Sequence, residues 1–360
     1  MQAPTATSGH DAAACDCASH ASPLSRRGFI QSTAAATGLA LADAVLAPLP
    51  AQALSVPPIT AESLAGELFR SLSEPQRKVL CFPIDHELRG EIDNNWRITK
   101  PMDQVLQPEQ RDLVKQLFLK LHSEEYAPKV LQQVIHDNNG FDRCSLAFFG
   151  QPGAEPAPQK PIRGSEASWE FVFTGRHVTR RCDSLNRTDG VAFGGPIFYG
   201  HAAQRFNEAP DHPGNIYWYQ ATRANELFKA LDEKQRQLAL RTGARDERGV
   251  DTVTIHDKPA DRHGLPVTEL SADQKALLRK VMDDLLAPFR PGDRAEAAKI
   301  IEDTGGVESL HLAYYSNLDV GKDGVWDVWQ IEGPQLVWYF RGHPHVHTWV
   351  HIRKPAKAQG

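Results

Sequence analysis

The segment Arg341-Gly342-His343-Pro344-His345-Val346-His347-Thr348-Trp349-Val350-His351 packs four of the chain's fifteen histidines into nine positions. All four carry odd numbers, so in an extended strand they share one face, with Val346, Thr348, Val350 and Ile352 on the other. Same-face neighbours lie roughly 6 to 7 Å apart, which lets His345 and His347 converge on one ion. His351 lies about 13 Å further along a straight strand and joins them only through a bend or bulge. Imidazole suits zinc, copper, iron, manganese or nickel, and a His-x-His pair on a strand supplies two ligands while another element brings the third. His177 and His201 are candidates for that third place, although each taken alone reads first as a hydrogen-bonded structural histidine. The competing reading of the cluster is a histidine-rich exposed edge, or rings stacked with Trp338 and Trp349 in a polar core. Several neutral imidazoles side by side are costly to bury unless something satisfies their nitrogens, and this favours metal or catalytic use.

Among the carboxylates, Glu332 and Asp183 are candidates for a ligand or general base. Arg176, Arg180 and Arg181 flank His177 and serve either as a clamp for an anionic substrate group or as partners of surface carboxylates. The chain has no nucleophile elbow, P-loop, dinucleotide glycine fingerprint or zinc Cys-x-x-Cys, which disfavours the chemistries those motifs carry.

The elements that must position these residues follow from periodicity. Leu64, Leu68 and Leu72 recur at helical spacing within Ala61 to Leu80, and Leu113, Leu117 and Leu121 do so after Pro108-Glu109-Gln110. Trp169 to Thr179 alternates as a half-buried strand, with Trp169, Phe171, Phe173 and His177 on one face and Glu170, Thr174 and Arg176 on the other. Val191 to Tyr199 reads as a second strand, broken by glycine and paired to the first across a polar turn. Ala221 to Leu240 and Ala272 to Leu286 return to helical spacing. Leu310 to Tyr315, Val325 to Glu332, Gln335 to Phe340 and His345 to Ile352 form a C-terminal antiparallel meander. The expected fold is α+β: a helical N-terminal part and middle helices packed on an antiparallel sheet, with the meander last.

With 40 Lys+Arg against 45 Asp+Glu, the net charge of −5 excludes a basic nucleic-acid binder read from charge. Ser25-Arg26-Arg27-Gly28-Phe29-Ile30 matches the twin-arginine export pattern, and a short apolar stretch leads to Ala51-Gln52-Ala53, the expected cleavage site. The stretch is interrupted by Asp43 and too short for a spanning helix, so no stable membrane insertion is expected. The division is therefore a signal peptide over 1–53 and one α+β domain over 54–360, periplasmic or secreted, exported by the twin-arginine translocation machinery. The mature chain keeps Cys81, Cys144 and Cys182, from which one disulfide is arithmetically possible without a preferred pair.

Gly175-Arg176-His177 within Trp169 to Thr179, Pro196-Ile197-Phe198-Tyr199-Gly200, Gly264-Leu265-Pro266 before Leu270-Ser271-Ala272-Asp273-Gln274, and His345-Val346-His347 together resemble the family called domain of unknown function 3500. The resemblance includes the N-terminal helices and implies a secreted or periplasmic α+β protein, but no particular reaction. Where that family tends to show Gly-His-His this chain has Gly175-Arg176-His177, and where an Arg-Asp pair tends to follow the His-x-His it has His351-Ile352. The spacing of His345, His347 and His351 also resembles the cupin motif.

The functional expectation is an exported metal-dependent enzyme acting on a small-molecule substrate, an oxidoreductase ahead of a hydrolase. Its single transition metal ion (Cu, Fe, Mn or Zn) is held by His345 and His347 with His177 or His351, and Glu332 and Arg176 are the candidate catalytic side chains. The alternatives are a non-catalytic metal-handling protein, with His343 and His351 as a loading site, and a ligand-binding module with a tryptophan platform.

Overall fold

Thr60 starts the first helix by accepting a hydrogen bond from the Ser63 amide while the Ser63 side chain answers the Thr60 backbone. In the computed structural model this helix, α1 (Ala61–Ser71), turns Leu64 and Leu68 inward. The structure describes residues 59–152, 169–184, 190–201, 215–316, 326–343 and 345–354, so the expected leader lies outside the described residues. The compact unit runs from Pro57 to Gly360. No helix among the described residues is long and apolar enough to cross a membrane.

The helical stretch expected to reach Leu80 breaks at Leu72-Ser73, where Ser73 caps α2 (Glu74–Leu80) and Pro75 occupies its first turn. A short α3 (Met102–Val105) precedes α4 (Pro108–Lys120) and α5 (Ala127–Asn138). In the middle of the chain the stretch expected as Ala221 to Leu240 divides into α6 (Trp218–Lys229) and α7 (Glu233–Ala239), because Asp232 caps a fresh helix through Gln235. Two further helices, α8 (Ala272–Leu286) and α9 (Pro291–Asp303), complete the set among the described residues.

One sheet runs through the described residues. Its first half comprises β1 (Cys81–Phe82), β2 (Ser145–Gly150), β3 (Trp169–Gly175), β4 (Val178–Asp183) and β5 (Ile197–Gly200). The second half comprises β6 (Leu240–Arg241), β7 (Leu265–Pro266), β8 (His311–Tyr315), β9 (Val328–Gly333), β10 (Leu336–Arg341) and β11 (His347–Ile352). The spatial order β1-β2-β3-β4-β5-β11-β10-β9-β8-β6 joins the halves by pairing β5 with β11, and β7 lies on β8. The pairing is antiparallel except for β1 with β2 and β6 with β8. The mixed α+β fold and the C-terminal meander are both present. The strand expected from Val191 to Tyr199 is shorter, because Gly194, Gly195 and Pro196 leave a 3-10 turn before β5 begins at Ile197.

The register sorts the side chains onto two faces. Leu146, Phe171, Phe173, Tyr199, Trp338 and Ile331 meet the helices in the main apolar core. The other face carries Thr174, Thr179, Phe198, His347, Trp349, Arg341, Tyr339, Gln330, Glu332 and Tyr315, as their cross-strand pairing requires. Smaller apolar clusters cover that face, with Ile92, Val253 and Ile255 over one part and Ile98 over another. Two irregular segments, roughly residues 83–101 and 242–264, therefore form a lid opposite the helices. This is why β3, expected half-buried, is buried on both sides.

Candidate metal centre

Three loops meet at one end of the sheet: the β3–β4 corner, the segment leaving β5, and the β10–β11 hairpin. Two glycines permit their approach. A side chain on Gly200 would collide with the Val346 carbonyl, and one on Gly175 would meet Asn138 Oδ1 at 2.7 Å and Cys144 Sγ at 2.8 Å. At the first corner Asn138 locks the chain to the end of α5, donating to Arg176 O at 3.1 Å and accepting from the Arg176 amide at 2.8 Å. His177 occupies the corner with φ 58°, a left-handed conformation unusual for a side chain other than glycine or asparagine. Its backbone amide donates to Asn94 O at 3.0 Å.

The corner aims the His177 ring at the other hairpin. His345 Nε2 lies 3.1 Å from His177 Nε2 and 2.9 Å from His347 Nε2. One ligand atom from each of these residues lies within 4.8 Å of the others, so the group can hold a metal ion. A tetrahedral ion with bonds of about 2.0–2.1 Å separates its ligand atoms by about 3.3 Å, close to these spacings.

Proton counting carries the fit further. His177 Nδ1 donates to the buried Asp137 Oδ2 at 3.0 Å, which leaves its Nε2 a bare lone pair. His345 can place at most one proton between two imidazole nitrogens, so at least one of the two close contacts lacks a hydrogen bond. His345 Nδ1 is buried and also has no hydrogen-bond partner among the described residues. A cation that accepts three Nε2 lone pairs resolves the mismatch, and the residues fit such an ion.

Burial keeps these rings neutral. It pushes His345 down to about 3, with His177 and Arg341 adding to the effect. His347 falls well below the usual histidine range for the same first reason, aided by Arg341. His177 is lowered by burial against the opposing pull of Asp137. Neutral imidazoles are the form that binds metal. Around them, Phe198 and Trp349 present rings 5.2 and 5.3 Å from that of His347, and the buried His201 ring lies 6.3 Å from that of His345.

The other expected residues go elsewhere. His351 follows His347 on the same face of β11 but remains outside the group, its Nδ1 facing Val253 O at 3.4 Å. Glu332, fully buried on β9, accepts from His256 Nδ1 at 2.6 Å and pairs with Arg245 at 2.9 Å. Asp183 ends β4 away from the corner, beside a cleft of about 510 Å³ also lined by Glu62, Arg290 and Asp293. Arg181 is engaged by buried Glu170 at 2.6 Å, while Arg180 donates to His122 Nε2 at 3.0 Å and Phe198 O at 2.8 Å. Arg176 is exposed beside His177 and makes no ion pair among the described residues. Cys81, Cys144 and Cys182 are free thiols.

Two contributors escaped the motif reading. Asp137 lies on the apolar stripe of α5, three residues after Val134, and that polar intrusion on a buried helix face was its available signal. Glu247, in an irregular segment, pairs with Arg341 at 2.9 Å and approaches His347 Nδ1 at 3.6 Å, with no pattern in the sequence to announce it.

The family described as Protein of unknown function (DUF3500) matches residues 57–357, nearly the whole compact unit. The chain belongs to this family. No curated protein and no solved structure matches it. In this DUF3500 chain the motif Gly175-Arg176-His177 forms the β3–β4 corner, and His345-Val346-His347 enters β11, so two segments distant in sequence supply one histidine group.

Proposed function

We propose that this is an exported metal-dependent enzyme, an oxidoreductase, whose centre is one transition metal ion held by His177, His345 and His347. The observation that carries the reading is the convergence of three neutral imidazoles whose contacts at 3.1 and 2.9 Å cannot all be satisfied by protons. Three protein ligands leave a position open for a small molecule, the pattern of a catalytic rather than a structural metal site. When bound, copper or iron would supply electron transfer to and from a substrate at that open position.

Redox chemistry is preferred to hydrolysis because of where the carboxylates are. Among the described residues, the acids beside the histidines, Asp137 and Glu247, are occupied by His177 and Arg341, and Glu332 is occupied by Arg245 and His256 at the other end of β9. A general base for water activation is thus not provided by these groups. Asp137 orients His177, Phe198 and Trp349 exclude water from the side of His347, and Arg176 stands at the exposed edge. The twin-arginine pattern at Arg26-Arg27 supports export of an already folded, metal-loaded chain.

The test is elemental analysis of the mature protein, purified from the periplasm without an affinity tag, beside a His345→Ala/His347→Ala double variant. Near one copper or iron per chain, lost in the variant, supports the reading. Zinc in the same stoichiometry moves it to the hydrolase alternative, and a metal-free, folded wild type removes it.

A further inference from the structure

His347 Nδ1 faces two groups of opposite character. Arg341 Nη2 is in hydrogen-bond contact with it, and Glu247 Oε2 stands 3.6 Å away. A guanidinium only donates, so opposite Arg341 the Nδ1 atom is a lone pair and the ring proton resides on Nε2. That is the atom turned toward His345, and while it carries a proton it cannot ligate. Metal binding through Nε2 therefore requires the proton to leave that atom and a proton to occupy Nδ1, which must then face an acceptor.

Glu247 is placed to be that acceptor. Its Oε1 is ion-paired with Arg341 Nε at 2.9 Å and accepts from the Tyr339 hydroxyl at 3.3 Å, leaving Oε2 on the His347 side. Two residues earlier, Arg245 fastens the segment to the sheet through Gln330 Oε1 at 2.9 Å and Glu332 at 2.9 Å, and braces the segment on itself through Thr254 O at 2.7 Å. Glu332, the carboxylate near the end of β9 that reads as a catalytic candidate, thus anchors the segment bearing Glu247.

Resting on the metal reading above, we infer that Glu247 is a positioning residue that accepts the Nδ1 proton of His347 and so fixes this ring in its metal-binding tautomer. On loading, Arg341 yields Nδ1 and keeps its ion pair with Glu247, so no cation is left unpaired. The exchange is a tautomer shift within one ring, and its proton balance is zero. His177 with Asp137 and His347 with Glu247 then form two carboxylate–histidine–metal relays, whereas His345 has none among the described residues.

The experiment is a Co2+ titration of the mature chain, followed by visible absorption and chelator competition, for wild type, Glu247→Gln and Glu247→Met. Glu247→Met should bind about 10- to 100-fold more weakly with displaced absorption bands, and Glu247→Gln, which retains a neutral acceptor, should fall between. Binding of Glu247→Met indistinguishable from wild type overturns the inference. A second measurement covers misfolding of the variants: 15N-histidine spectra of wild type with and without Zn2+. A His347 Nδ1–H signal that appears on loading supports the inference, and a retained Nε2–H overturns it. Wild type that binds neither ion overturns the metal reading itself and this inference with it.

Discussion

Asp137 Oδ2 lies 3.0 Å from Nδ1 of His177, and both side chains are buried. The pair joins the end of α5 to the β3–β4 corner across 40 residues of sequence, so a helix carboxylate sets the tautomer of a hairpin imidazole. The second oxygen, Oδ1, accepts from Gln133 Nε2 at 2.8 Å, which keeps the carboxylate from rotating away. Both oxygens are thereby committed, and the His177 ring is presented with its Nε2 outward.

Asp137→Asn should weaken metal retention by about 10- to 100-fold, because an amide can turn its NH2 toward His177 and reverse the tautomer. Loss of a charge-assisted hydrogen bond should also cost about 1.5–3 kcal/mol of stability. Chelator competition on the loaded protein and urea denaturation of the metal-free form measure the two effects separately. Unchanged retention would mean that Asp137 serves the fold alone.

His177 combines a ligand role with a left-handed backbone, and two variants separate them. His177→Asn and His177→Ala should both empty the centre. Asparagine tolerates positive φ better than alanine, so the asparagine variant should be the more stable by about 1 kcal/mol in metal-free thermal denaturation. Equal stabilities would show that the corner relaxes when the imidazole is removed.

How much of this was legible depends on whether the signal was periodic. Leucine spacing and strand alternation gave the helices and the meander, and the odd-numbered histidines drew attention to β11 before any fold was known. The grouping of His345 with His347 was legible for that reason, but its geometry was not. His345 lies in the hairpin rather than on the strand, and His347 begins the strand. His351 shares the sheet face with His347 yet stays apart, since β11 runs straight through it without the bend a third ligand there requires. Glu332 looked like a catalytic carboxylate because a buried acid and an anchoring acid are the same letter. Only the positions of Arg245 and His256 separate the two roles, and both come from an irregular segment that has no period.

Gly200 makes a prediction that depends on backbone approach alone. Its neighbour His201 donates its amide to Val346 O at 3.1 Å, and a β-carbon on Gly200 cannot occupy the same space as that carbonyl. Gly200→Ala must push the β10–β11 hairpin away from β5, displacing His345 and His347 from His177. Overpacking of this kind costs about 1–3 kcal/mol. The expected result is a folded protein with a lower melting temperature and substoichiometric metal. Full metal content with an unchanged melting temperature would refute the close approach.

The pH dependence of stability follows from the buried histidines. Burial pushes His351 down to about 4, with the contact to Val253 O opposing the effect, so the folded chain keeps this ring neutral in a range where the unfolded chain, near 6.5, protonates it. The unfolded state then binds more protons, and stability rises with pH through that window. This contribution is complete above about pH 6.5 and is lost as the pH falls toward 4. His351→Leu removes the titrating group without touching the three-histidine group. In metal-free urea denaturation at pH 7 and pH 4.5, the variant should therefore lose less stability than wild type on acidification. It should also bind metal as wild type does at pH 7. Equal acid losses in the two proteins would show that His351 is protonated in the fold at little cost, and a variant that lost its metal would bring His351 into the centre after all.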